Sequence, residues 1–166
     1  MNIEKRTFRG IKKYVKLYRV YDGDTIEIIT KLDRFERNKR YMFRLNGLDA
    51  PEIKPKMNIK FRNDIINMGI KVKEILEMVL TKDLYIEFDG EDKYGRLLGT
   101  VWTVKRGLFC CKSQYLNVNN WLLMNNLVLP YNGGQKTEIS KYWLDYNKTN
   151  VNMIYDNIKI GGIPLP

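Results

Sequence analysis

Three short stretches carry residue types that can do chemistry on a charged substrate. The first is Asp22-Gly23-Asp24-Thr25. Two carboxylates flank a glycine there, a ligand set suited to a hard cation. The same residues also read as a plain hairpin turn, for which Asp-Gly supplies a positive φ. The second stretch is Arg44-Leu45-Asn46-Gly47-Leu48-Asp49-Ala50-Pro51-Glu52. It reads either as a strand end trailing solvated acids, or as a site where Asp49 and Glu52 join the first carboxylates and Arg44 projects to the same spot. The third is Asp92-Lys93-Tyr94-Gly95-Arg96. It is either a polar turn closed by glycine or a phosphate-facing loop. Arginine holds phosphate through a planar fork, and Arg96 opens the next strand.

Composition narrows the chemistry further. The 166 residues include no histidine, so histidine-based triads, proton shuttles and histidine metal sites are excluded. The two cysteines, Cys110 and Cys111, are adjacent. They neither staple distant segments nor complete a four-ligand zinc site, and free thiols in a reducing compartment are expected. Catalysis would have to use carboxylates, Arg, Lys, Tyr, hydroxyls or a hard metal held by oxygen. Lys and Arg outnumber Asp and Glu by 29 to 19, a formal charge of +10 that points to a polyanion, nucleic acid or an anionic membrane. The start of the chain is polar, with neither a secretory signal nor a membrane-spanning run. If Met1 is the native start, an intracellular protein is expected.

The elements that must position these residues follow from hydrophobic period. Strands are expected over Tyr14–Val20, Thr25–Thr30, Tyr41–Leu45, Leu84–Phe88 and Leu97–Val104. On Tyr41–Leu45, alternation sets Tyr41, Phe43 and Leu45 on one face and Arg44 with Met42 on the other. The stretch 31–39 reads as a charged loop, 51–58 as a proline-bearing loop and 89–95 as a charged turn. Apolar residues recur at helical spacing from Ile59 to Leu80, with a shorter helix expected over 118–126 and another over 137–146. Residues 106–113 read as a loop or hairpin extension. The Asn- and Gly-rich stretch from Asn147 is expected to pack loosely. Strands, one long helix, more strands and further helices make an α+β chain, with a small five-stranded barrel of the OB type and about three helices.

Taken together and in order, the three polar motifs resemble the staphylococcal nuclease family. The resemblance continues through Asn119, Leu122 and Leu123, then Leu127-Val128 and Tyr131, and spans roughly residues 12–146. It implies a staphylococcal-nuclease-like domain over 1–146, a C-terminal tail over 147–166, and a Ca²⁺-dependent phosphodiesterase. Residue by residue, it implies that Asp24, Asp49 and the backbone carbonyl of Ala50 hold Ca²⁺, with Asp22 supporting them. Glu52 would be the general base, and Arg44 and Arg96 would contact the phosphate. Lys93 and Tyr94 would bind a neighbouring phosphate, and Tyr131 would lie beside the nucleotide. The partner would be DNA or RNA and not a membrane, cut endonucleolytically to leave 3′-phosphate ends, by a monomer. The alternative is a non-catalytic nucleic-acid-binding module on the same barrel. The chain departs from the family pattern at 34–39, at 105–115 and beyond residue 147.

Overall fold

The computed structural model describes residues 8–105, 114–134 and 138–160. Cys110 and Cys111, and with them the segment read as a loop or hairpin extension, lie outside the described residues. In chain order the elements are β1 (Lys12–Val20), β2 (Thr25–Thr30), β3 (Lys39–Leu45), β4 (Leu48–Asp49), α1 (Arg62–Val79), β5 (Asp83–Glu91), β6 (Leu97–Lys105), β7 (Gln114–Asn117), α2 (Val118–Met124), β8 (Leu129–Pro130) and α3 (Lys141–Lys159).

The main sheet runs β3-β2-β1-β5-β6-β7, and β3 also pairs with β6. That last pairing is parallel, with Phe43 opposite Leu97 and Leu45 opposite Gly99, while the others are antiparallel. It closes β1, β2, β3, β6 and β5 into a five-stranded barrel and leaves β7 outside the ring. The fold is therefore the expected OB-type α+β barrel with three helices. Alternation on the strands sends Val15, Ile26, Ile28, Phe43, Leu84, Ile86, Phe88 and Val101 into the barrel, all buried. Each large aliphatic side chain so buried contributes about 1.5–3 kcal/mol.

Helix α1 begins at Arg62, three residues after the expected start, because Phe61 sits in a left-handed conformation at φ 56°. It buries Ile65, Met68, Val72, Ile75, Leu76 and Val79. Strand β5 runs to Glu91, through residues expected to be turn, and the turn itself is confined to 92–96. Three short strands, β4, β7 and β8, were not expected from the sequence.

The largest correction concerns the end of the chain. The helix expected to stop at Tyr146 continues to Lys159, and residues 147–159 are packed rather than loose. Ser140 caps it, its hydroxyl accepting from the Trp143 N–H at 3.1 Å. Leu144, Asn147, Val151, Ile154 and Ile158 share its buried face, a helical spacing with an asparagine inside the stripe. The helix docks on α1, where Lys141 donates to Asp64 at 3.0 Å and Lys71 donates to Asn152. Among the described residues, no helix is long and apolar enough to cross a membrane.

Candidate active site

The β1–β2 turn delivers the first carboxylates. The N–H groups of Tyr21 and Asp22 both donate to the Thr25 carbonyl, at 2.9 and 3.2 Å. The Asp22 carboxylate accepts from the Asp24 N–H at 3.1 Å, a local Asx bond that shapes the turn. Gly23 is needed for a different reason from the one the Asp-Gly pair suggests. Its φ is not positive. A side chain there has no room: an added Cβ would stand 2.7 Å from the Ala50 Cβ and 2.9 Å from the Val72 Cγ1. Close approach of the turn to the Ala50 segment and to α1 therefore demands glycine.

Asp24 lies deep, at 3% exposure. One oxygen accepts from Arg44 Nη1 at 2.8 Å and from the Thr25 hydroxyl at 2.7 Å. The other accepts from the Ala50 N–H at 3.1 Å. Burial, reinforced by the neighbouring Asp22 charge, pushes the Asp24 carboxyl up to about 7 against the opposing pull of Arg44 and its hydrogen bonds. Arg44 sits opposite Thr25 in the β2–β3 register, one residue from Asp24. Its Nη2 donates to Asp49 at 2.7 Å and, more weakly, to the Leu48 carbonyl at 3.4 Å. Burial works against its charge, but Asp24 and Asp49 more than offset this and hold the guanidinium above its ordinary pKa. Arg44 thus takes neither the core nor a solvent face; it links two buried carboxylates.

Asp49 is placed by the two-residue ladder between β4 and β8, where it pairs with Leu129. The same ladder brings up Tyr131, whose N–H donates to the Gly47 carbonyl at 3.0 Å and whose hydroxyl donates to the Gly134 carbonyl at 2.9 Å. The Arg44 guanidinium carbon lies 6.0 Å from the Tyr131 ring centre. Glu52 follows on an exposed stretch between buried Pro51 and Pro55. Helix α1 touches that loop directly: a Cβ on Gly69 would meet the Pro51 carbonyl oxygen at 2.5 Å.

Arg96 arrives from the opposite wall. Asp92 organises its turn, accepting from the Tyr94 N–H at 2.8 Å, the Arg96 N–H at 2.9 Å and Arg96 Nε at 2.7 Å. Tyr94 is 73% exposed, with the Lys93 ammonium 5.1 Å and the Arg96 guanidinium carbon 5.6 Å from its ring centre. Between these walls lies a cleft of about 730 Å³. Asp22, Asp24, Arg44, Ala50, Glu52, Lys93, Tyr94, Arg96 and Tyr131 all line it. Asp49 is the one expected site residue that does not, and it stands behind Arg44.

Two further residues hold the cleft in shape. Asp92 was noted only as part of a motif, yet it fixes Arg96. Asn119, 4% exposed, donates to the carbonyls of Asn46 and Gly99 at 2.9 and 3.1 Å and accepts from the Val101 N–H at 3.0 Å. It ties the turn after β3 to β6. In the sequence Asn119 stands only as part of the resemblance; its role shows once the turn after β3 is seen against β6.

The donors available for a metal are the carboxylates of Asp22, Asp24 and Asp49 and the Ala50 carbonyl. All are oxygens, which fits a hard cation in type. Among the described residues no group of three or more acidic, histidine or cysteine side chains forms a ready cage. Asp24 and Asp49 each commit an oxygen to Arg44.

No curated protein matches the chain. The family model of staphylococcal nuclease homologues matches residues 42–150, which takes in every expected site residue except Asp22 and Asp24. Those two enter the same cleft from the β1–β2 turn. With the motifs, the closed barrel and the matched span agreeing over most of its length, the chain belongs to the staphylococcal nuclease homologue family, nucleases and nucleic-acid-binding modules built on this barrel.

Proposed function

We propose that the chain is a Ca²⁺-dependent nuclease that hydrolyses phosphodiester bonds of DNA or RNA, cutting within strands. The observation that carries this is the meeting of two arginines, a solvent-reachable glutamate and a buried aspartate on one cleft of a +10 protein. Hydrolysis without histidine needs a base for water, positive charge on the phosphate and fixed donors to its oxygens. Glu52, exposed beside the cleft, takes the proton as the water oxygen attacks phosphorus. Arg44 and Arg96 approach from two walls and hold the non-bridging oxygens. Arg44 keeps N–H donors beyond those given to Asp24, Asp49 and Leu48. The bond to the 5′-oxygen breaks with its electron pair on that oxygen, which takes a proton from solvent, leaving 3′-phosphate and 5′-hydroxyl ends. Asp24, Asp49 and the Ala50 carbonyl would hold Ca²⁺, and Asp22 supports Asp24 through its backbone. Bound there, the ion supplies positive charge to the attacked phosphate. Lys93 and Tyr94 would take the adjoining phosphate, and Tyr131 the nucleotide.

One observation favours the alternative, a module that binds without cutting. Arg44 and Arg96 are both already ion-paired within the chain. The two readings separate in one experiment: cleavage of single-stranded DNA, duplex DNA and RNA with Ca²⁺ or with chelator, by the wild type, Asp24→Ala and Glu52→Gln. The nuclease reading expects chelator-sensitive cutting, lost in Asp24→Ala. In Glu52→Gln turnover should fall by about 10²–10⁴ while binding persists. Binding with no cutting in any divalent cation would establish the module instead.

A further inference from the structure

The outer face of β1 is unlike the rest of the barrel. Lys12, Tyr14, Lys16, Tyr18, Arg19 and Tyr21 are all exposed, cation and tyrosine alternating until the strand reaches Asp22 at the rim of the cleft. The rings stand 58%, 49% and 50% exposed. Strand β1 carries no acid.

Its neighbours hold these groups in place. Tyr14 packs on Tyr85 at 5.1 Å between ring centres, and its hydroxyl is 2.7 Å from that of Tyr115. Arg40, on the outer face of β3, lies 4.8 Å over Tyr18, and Arg19 lies 6.0 Å from the Tyr21 ring. Glu27, 8% exposed, sits under both arginines, 2.7 Å from Arg19 and 3.6 Å from Arg40. The acids nearby are engaged: Glu27 with those two arginines, Glu87 with Lys12 at 3.2 Å, and Asp83 opposite Lys16 in the register. The face exposes a row of half-exposed tyrosine rings with cations beside them, and a buried carboxylate anchors two of those cations.

We propose that this face is a second nucleic-acid site, a track that carries a single strand away from the cleft along β1. The proposal rests on the reading of the cleft as a nucleic-acid site. A single strand offers the two things the face matches, stackable bases and a regular run of phosphates. From Lys12 to Tyr21 the strand spans about 30 Å, room for several nucleotides and within the range of about 4–16 that such barrels bind. A duplex buries its base faces and could use only the cations.

The test measures binding of a labelled 15-nucleotide single strand in chelator, alongside Ca²⁺-supported cleavage of a trinucleotide that fills only the cleft. Tyr18→Ala and Lys16→Glu should each weaken the 15-mer about tenfold. Tyr18→Phe, which keeps the ring, should bind as the wild type does. Trinucleotide cleavage should be the same in all four proteins. Unchanged 15-mer binding in Tyr18→Ala and Lys16→Glu overturns the track, as does equal loss in Tyr18→Phe and Tyr18→Ala. A wild type that fails to bind the 15-mer overturns it too. If the trinucleotide is never cut but the variants still weaken the 15-mer, the nuclease reading falls and the track stands.

Discussion

Arg44 and Arg96 face one cleft, but the protein holds them there by opposite means. Arg44 stands one residue from the end of β3, with 11% of its side chain exposed, between carboxylates supplied by the β1–β2 turn and by β4. Arg96 is 28% exposed and leans on Asp92, four residues earlier in its own turn. The first is in place only when the β1–β2 turn, β3 and β4 have come together; the second needs one turn. Equal charges at one site can therefore have very different weight in the fold. Removing one partner from a buried pair strands a desolvated charge, whereas a pair near solvent is replaced by water.

Urea unfolding of Arg44→Leu and Arg96→Leu is the widest test of that contrast. Arg44→Leu leaves Asp24 and Asp49 without their cation and should lose about 3–5 kcal/mol. Arg96→Leu should lose under about 1 kcal/mol. Equal losses would break the comparison.

Lysine substitutions sharpen it, because they keep charge and discard the planar fork. Arg44→Lys should retain most of the fold yet lower turnover at least about 100-fold, roughly 2.7 kcal/mol in the transition state. Near-normal turnover would leave Arg44 as a strut for two aspartates and nothing more.

The smallest effect is a matter of pH. Burial pushes the Asp92 carboxyl up, but its bonds from the Arg96 backbone and side chain and from the Tyr94 N–H outweigh this and hold it below 3.8. A lowered acid stabilises the folded state above its unfolded pKa and loses that contribution as pH falls through the folded value. The difference in Tm between wild type and Asp92→Asn should hold steady from about pH 7 to 5, then close below about pH 4. A gap that persists in acid would mean that Asp92 shapes the turn without its charge.

The contrast also marks what could be read from the sequence. The Asp92 turn is local, and its residues and spacing announced it. The barrel strands are legible because apolar alternation survives in Ile26-Glu27-Ile28 and Phe43-Arg44-Leu45. Arg44 was placed correctly opposite the core residues of its strand. That it would pair with both Asp24 and Asp49 was not legible, since this depends on the β2–β3 register and on the short β4–β8 ladder, neither of which the sequence spells out. Strands β4 and β8 are two residues each and carry no period at all. Helix α3 was missed beyond Tyr146 because Asn147, Asn150 and Asn152 favour turns over helix. The stripe of Leu144, Val151, Ile154 and Ile158 docking on α1 overrides that preference. Gly23 was recognised for the wrong reason, because a missing side chain looks the same in sequence whether it frees the backbone or admits a neighbour.

Gly69 gives the contact between α1 and the Pro51–Glu52 loop a meaning in time. With no Cβ on the helix at that point, its backbone lies against the Pro51 carbonyl with nothing compressible between them. An exposed loop ordinarily rearranges in nanoseconds to microseconds, while packed helices shift in microseconds to milliseconds. With the two backbones in contact, rearrangement of this loop is expected on the helix's slower timescale. The main chain that carries the glutamate proposed as base is thereby tied to a helix of eighteen residues, and a displacement of one is expected to carry the other.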